Sequence, residues 1–159
     1  MPTLDFSNCK NDNDKRISIC QYIDKNSITH DEFLEIFKSA NFTDDDDKRI
    51  SICQYIDKNS ITPDQFLKIF KSANFTDDAD KRISIYVYMK KANSIPYDKF
   101  LEILENANFT NDTQKEAVIE SFFKQEDTAI NFLDNIKKFN ITVHHMGLIG
   151  DFLDMKVLN

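Results

Sequence analysis

Apolar residues along this chain fall at helical spacing in pairs of short stripes, and the pairs themselves recur. In the segment after Arg49, residues Ile50, Ile52, Cys53, Tyr55 and Ile56 form a broad stripe; Phe66, Leu67, Ile69, Phe70 and Ala73 form a stronger one. Asn59-Ser60-Ile61-Thr62 breaks the two apart. Thr62-Pro63-Asp64-Gln65 has the order of a capping box, with Thr at the cap, Pro at the first helical position and Gln at the third. Thr29-His30-Asp31-Glu32 repeats the device earlier in the chain. The second stripe ends at Ala-Asn-Phe-Thr, and Asn tolerates the left-handed conformation that closes a helix. Phe42, Phe75 and Phe109 follow as apolar plugs, and Thr43, Thr76 and Thr110 stand where they would cap the next helix. The acidic run from Asp44 to Asp47 then falls in that helix's first turn, where the macrodipole favours negative charge.

The stripes recur because the chain copies itself. DKRISICQYIDKNSITHDEFLEIFKSANF (14–42), DKRISICQYIDKNSITPDQFLKIFKSANF (47–75) and DKRISIYVYMKKANSIPYDKFLEILENANF (80–109) start 33 residues apart, and the third carries one extra residue in KKANSI. A fourth unit, 114–140, opens through Ala117, Val118, Ile119, Phe122 and Phe123 and continues through Ile130, Phe132, Leu133, Ile136 and Phe139. The tail 141–159 holds both glycines, Gly147 and Gly150, and reads as an atypical unit closing the array. The expectation is an all-α fold: one domain over 1–159, built of tandem antiparallel helix pairs in a short solenoid-like stack. At this period it holds roughly seven to nine helices, including a C-terminal capping helix.

Composition agrees with that pattern. A hydrophobic content of 41% with 30% charged residues argues against disorder over most of the length, and 2 Gly with 3 Pro leave few sharp turns for an all-β protein. The net charge of −7 repels phosphate backbones and disfavours nucleic acid. No stretch approaches the roughly 20 apolar residues of a membrane span. The start, MPTLDFSNCKNDND, lacks a basic n-region and an apolar h-region, so a cytoplasmic protein without a signal peptide is expected. Cys20 and Cys53 share one repeat position, which Tyr86 fills in the third copy; a semi-buried packing site with reduced thiols fits.

Candidate chemistry is sparse. Tyr22 to Phe33 sounds like the loop of a calcium-binding helix–loop–helix, yet Asp24 and Glu32 are eight apart and no Gly intervenes, whereas that loop spans about 12 residues with Gly at its sixth. Copy two has Gln65 at the acidic end, and copy three has Lys90 and Lys99 at the two ends. Consecutive carboxylates such as Asp44 to Asp47 diverge around a helix start, so dipole capping accounts for them better than a metal does. Sequons at Asn41, Asn74, Asn108, Asn111 and Asn140 read as incidental, three of them being the helix stop-and-start junctions. His144 and His145 are adjacent and cannot share a metal as an i, i+4 pair could, and His30, where copy two has Pro63, reads as exposed. No nucleophile–base set, phosphate loop, CxxC or HExxH occurs; no catalytic residue, metal ligand or cofactor is assigned.

The third copy departs where a partner site could sit. Tyr86-Val87-Tyr88-Met89 is apolar on more than one helix face and is followed by Lys90 and Lys91, the composition of an interaction patch. The alternative is that the inserted residue rotates the helix and packs the segment against the fourth unit, since helices apolar all round are usually buried.

The alternation of Phe-x-Asp-Asp-x-x-Lys/Arg with an apolar helix, then a helix led by Asp-Gln, resembles an uncharacterised family of short α-helical-repeat domains. The matching stretches are Phe42 to Arg49, Phe75 to Arg82 and Asp64-Gln65, within about residues 28–123, with Ile where that pattern prefers Leu. The resemblance implies an all-α fold and no particular activity. The functional expectation is therefore a non-catalytic interaction or scaffold module with a protein partner or self-association. A degenerate EF-hand-like calcium responder and a self-assembling structural protein are the alternatives.

Overall fold

The computed structural model describes residues 4–125, which form seven α-helices and no strand. They are α1 (Asp12–Lys25), α2 (His30–Ala40), α3 (Asp45–Lys58), α4 (Pro63–Ala73), α5 (Asp78–Ala92), α6 (Tyr97–Ala107) and α7 (Asp112–Gln125). Helices α1, α3, α5 and α7 lie side by side in one layer, and α2, α4 and α6 lie side by side in a second. Each of the first three repeats supplies one helix to each layer, so the described residues form an all-α array of antiparallel helix pairs. The second helix of the fourth unit and the C-terminal cap lie outside the described residues.

Local chemistry sets the even helices. Thr29 and Thr62 accept the backbone N–H of Glu32 and Gln65, and those side chains accept the caps' own N–H at 2.7 and 2.9 Å, completing both capping boxes. Asn41, Asn74 and Asn108 close the three helices in the left-handed region, at φ 46–48°. Copy three has Pro96 at the cap with no side-chain bond. Its extra residue is absorbed at Asn93, whose φ of 66° and ψ of −43°, with Ser94 N–H donating to Ala92 C=O at 2.7 Å, make a strained γ-turn.

That turn leaves the register of α5 intact. Tyr88 stacks on Phe66 with ring centroids 4.2 Å apart, as Tyr55 stacks on Phe33 at 4.1 Å and Phe122 on Phe100 at 4.0 Å. The insertion therefore does not rotate the helix towards the fourth unit; Tyr88 faces back to the second. Each stack joins an odd helix to the even helix of the preceding repeat and contributes about 0.5–1.5 kcal/mol beyond burial. Ile19, Ile52 and Ile85, with Phe33, Phe66 and Phe100, carry one continuous core across the described residues.

The broad apolar stripe of the odd helices divides in two. Ile52, Tyr55 and Ile56 are buried, whereas Ile50 and Cys53 are only half-buried because they point away from the even layer. The caps of α3 and α5 also differ from expectation: they are Asp44 and Asp77, each one residue beyond the threonine expected, and Asn11 caps α1. The threonines bond instead to the preceding repeat.

Candidate interaction surface

The seams between repeats are organised around three equivalent aspartates. Asp12 Oδ2 accepts from Thr43 N (2.6 Å), Thr43 Oγ1 (3.1 Å) and Asp44 N (2.8 Å) at the start of the next odd helix. Asp45 does the same for Thr76 and Asp77, and Asp78 for Thr110 and Asn111. The other oxygen of each accepts the ammonium of Lys15, Lys48 or Lys81 at 2.8–3.2 Å. Burial alone would raise these carboxyls, but the N–H and O–H donors outweigh it, lowering all three and bringing Asp12 to about 2. Sequence reasoning assigned Asp45 to its own helix dipole. The overlooked signal was Thr 31 residues after the acid in the first two seams and 32 after it in the third, where the inserted residue intervenes.

A second rung is an arginine pair. Arg16 Nε donates to Asp47 Oδ1 at 2.7 Å and Arg49 Nε to Asp80 Oδ1 at 2.6 Å. At the α5/α7 seam the corresponding residue is Gln114. Here Arg82 Nε and Gln114 Oε1 are both buried without a hydrogen-bond partner, and the guanidinium lies 5.7 Å from the centre of the Tyr86 ring. Tyr86 thus supplies a cation–π contact where the anion is missing.

On the solvent side of the odd layer, equivalent positions form a grid. Ile17, Ile50 and Ile83 recur once per repeat; Cys20, Cys53 and Tyr86 follow three residues on, and Gln21, Gln54 and Val87 four residues on, on the same helix face. Ile17 is 39% exposed, the most exposed large hydrophobic among the described residues, and Ile50 and Ile83 are half-buried. Of the four residues expected to form a patch, Tyr88 and Met89 are enclosed in the core, while Tyr86 and Val87 remain half-buried. The reason is helical geometry: four consecutive residues cover the whole circumference. Ile83, one turn back from Tyr86 and Val87, joins them. One turn beyond, Asp24, Asp57, Lys90 and Lys124 form an exposed row.

At one edge, polar hollows of about 240 Å³ repeat at consecutive junctions. The first is lined by Lys38, Asn41, Lys48, Ser72 and Asn74, and the second by Lys71, Asn74, Lys81, Asn106 and Asn108. The side chains of Asn41, Asn74 and Asn108 are exposed there, and Lys81 Nζ also donates to Asn108 C=O at 3.2 Å.

The remaining candidates are occupied with structure. Asp24 pairs with Lys58 and accepts from Gln54, and Glu32 completes its capping box, so the two ends of the calcium-like stretch are engaged separately. Burial pushes the Cys53 thiol up to about 11 and raises Cys20, which keeps both protonated and weakly nucleophilic at neutral pH. His30 is half-buried, not exposed: both ring nitrogens are buried without a partner, and burial lowers its pKa. Among the described residues no group of three His, Cys, Asp or Glu is placed to hold a metal, and no helix is long and apolar enough to cross a membrane. His144 and His145 lie outside the described residues. No family model, curated protein or solved structure matches the chain.

Proposed function

We propose that the chain is a non-catalytic helical-repeat module that binds or scaffolds a protein partner. The observation that carries this reading is the pair of equivalent polar hollows, one per junction, sharing Asn74 and edged by exposed amides at one-repeat intervals. Amides and ammonium groups at a regular spacing suit an extended polypeptide, whose own N–H and C=O groups repeat. The same reading treats Phe-x-Asp-Asp-x-x-Lys as a seam motif: Phe plugs the core, the first Asp caps, the second binds the next repeat and the Lys neutralises it.

Asn74→Gly tests it. Glycine keeps the left-handed helix end but removes the amide shared by both hollows. Proteins captured from the source cell by the immobilised chain, identified by mass spectrometry, should be lost from the variant. Capture of nothing by the parent chain, or equal capture by the variant, would overturn the reading.

A further inference from the structure

We propose that the outer face of the odd-numbered helices docks a second copy of this chain, a surface separate from the hollows that carry the binding-module reading. The face is apolar along one row and charged along another. Ile17, Ile50 and Ile83 run across α1, α3 and α5, joined at α5 by Tyr86 and Val87. One to two turns further along each helix, the exposed row reads Asp24, Asp57, Lys90, Lys124 in helix order. Its sign reverses midway, between α3 and α5.

A reversal at the midpoint is what an isologous contact needs, because a two-fold must bring a patch onto itself. A two-fold lying in the interface, parallel to the helices and passing between α3 and α5, sets α3 of one copy against α5 of its partner. Rows stay level under that operation. Ile50 then meets Ile83 of the partner subunit, Cys53 meets the partner's Tyr86, and Asp57 meets the partner's Lys90. At the periphery Asp24 meets the partner's Lys124. Asp24 already has Lys58 at 3.0 Å and Lys124 has Glu120 at 2.8 Å, so the charge contrast rests mainly on the central pair.

The internal comparison of α3 with α5 points the same way. From Asp45–Lys58 to Asp78–Lys91 only positions 46, 53, 54, 56 and 57 change. Four of those five become Ala79, Tyr86, Val87 and Lys90 on the outward side, and only Met89 is in the core. The inward residues Lys81, Ser84, Ile85 and Tyr88 keep their identities from copy two. Tyr86 contributes both to the Arg82 seam and to this face. Substitution concentrated on one side, adding apolar surface and reversing one charge, makes that side complementary to its neighbour's unaltered copy.

Sedimentation velocity of the full chain from about 1 µM to about 1 mM tests the proposal. Dimer should accumulate across that range and weaken with added salt. Lys90→Asp should raise the dissociation constant about tenfold or more, since two like-charged pairs result. Adding Asp57→Lys to it should restore the parent value to within about threefold, which a merely structural role would not produce. Ile83→Glu should leave monomer alone, with the parent's helix content in circular dichroism and a melting temperature that no longer rises with concentration. A chain monomeric throughout, a dimer indifferent to Lys90→Asp, or a charge swap that fails to rescue would overturn the dimer. A monomer that still captured another protein in an Asn74-dependent way would overturn only this inference, leaving the wider reading standing.

Discussion

The first two seams between repeats, at α1/α3 and α3/α5, combine a shielded aspartate, a ring stacked on the preceding even helix and an arginine–aspartate bridge, whereas the seam at α5/α7 keeps only the first two. Asp78 still accepts its three donors and Phe122 still stacks on Phe100, but Arg82 faces Gln114 instead of a carboxylate. The difference separates what the array needs from what it can replace. A carboxylate that gathers the two N–H groups leading into the next helix, a threonine hydroxyl and a half-buried or buried lysine answers four donors at once, which no single neighbouring group can do. A partly exposed ion pair is worth less and can yield to an aromatic face.

The largest effect should come from the feature common to all three seams. Phe66→Ala removes a fully buried ring stacked on Tyr88 and should cost about 3–5 kcal/mol in urea unfolding. Phe33→Ala and Phe100→Ala should cost similar amounts, because their stacks differ by only 0.1–0.2 Å from that pair. A loss below about 1 kcal/mol at any one of them would show that the seams are unequal in their cores.

Next comes the aspartate hub. Asp45→Ala should cost about 2–4 kcal/mol, because three donors and the Lys48 ammonium lose their acceptor together. The pH dependence has a definite sign. Asp12 is held at about 2 when folded against an ordinary 3.8, so its contribution is complete above 3.8 and fades as pH falls towards 2. Asp45 and Asp78 are lowered too and should add to the same acid limb. Acid titration of the melting temperature checks this: Asp45→Ala should flatten the limb, and an unaltered limb would remove the hub from the account.

Much of this was legible in the residues. The period, the capping boxes at Thr29 and Thr62 and the left-handed asparagines follow from local chemistry alone, so the helices and their pairing could be read directly. Partners a full repeat away could not. Thr43 was expected to cap α3 because Thr is a good cap; Asp44 won that position, and Thr43 bonded to Asp12 from the previous repeat. The candidate surface is divided for a similar reason. Tyr86 to Met89 read as one patch along the sequence, but only residues three or four apart share a helix face, so Ile83 belongs with Tyr86 and Val87 while Tyr88 turns inward.

Restoring the missing rung should give a smaller change. Gln114→Asp places a carboxylate where Asp47 and Asp80 stand in the other seams, and Arg82 should pair with it. A gain of about 1 kcal/mol is expected, with the reverse change, Asp80→Gln, losing a similar amount at the α3/α5 seam. If the two substitutions failed to mirror each other, the Arg82–Tyr86 contact would be a full replacement and not a partial one.

The smallest expected effect concerns calcium, and the same seams decide it. The starts of α3, α5 and α7 differ in acidity: Asp44 to Asp47 precede or open α3, Asp77, Asp78 and Asp80 mark α5, and only Asp112 marks α7. If that charge bound calcium, affinity would fall from seam to seam. The best-placed carboxylates are already filled, however, because Asp45 and Asp78 each accept three donors through one oxygen and a lysine through the other. A divalent ion would have to displace those donors and drive off the lysine. Melting in millimolar calcium should therefore differ from melting in chelator by less than about 1 °C. A rise of several degrees, abolished by Asp46→Asn together with Asp47→Asn, would make the α3 start a cation site and turn the difference between seams into one of metal affinity.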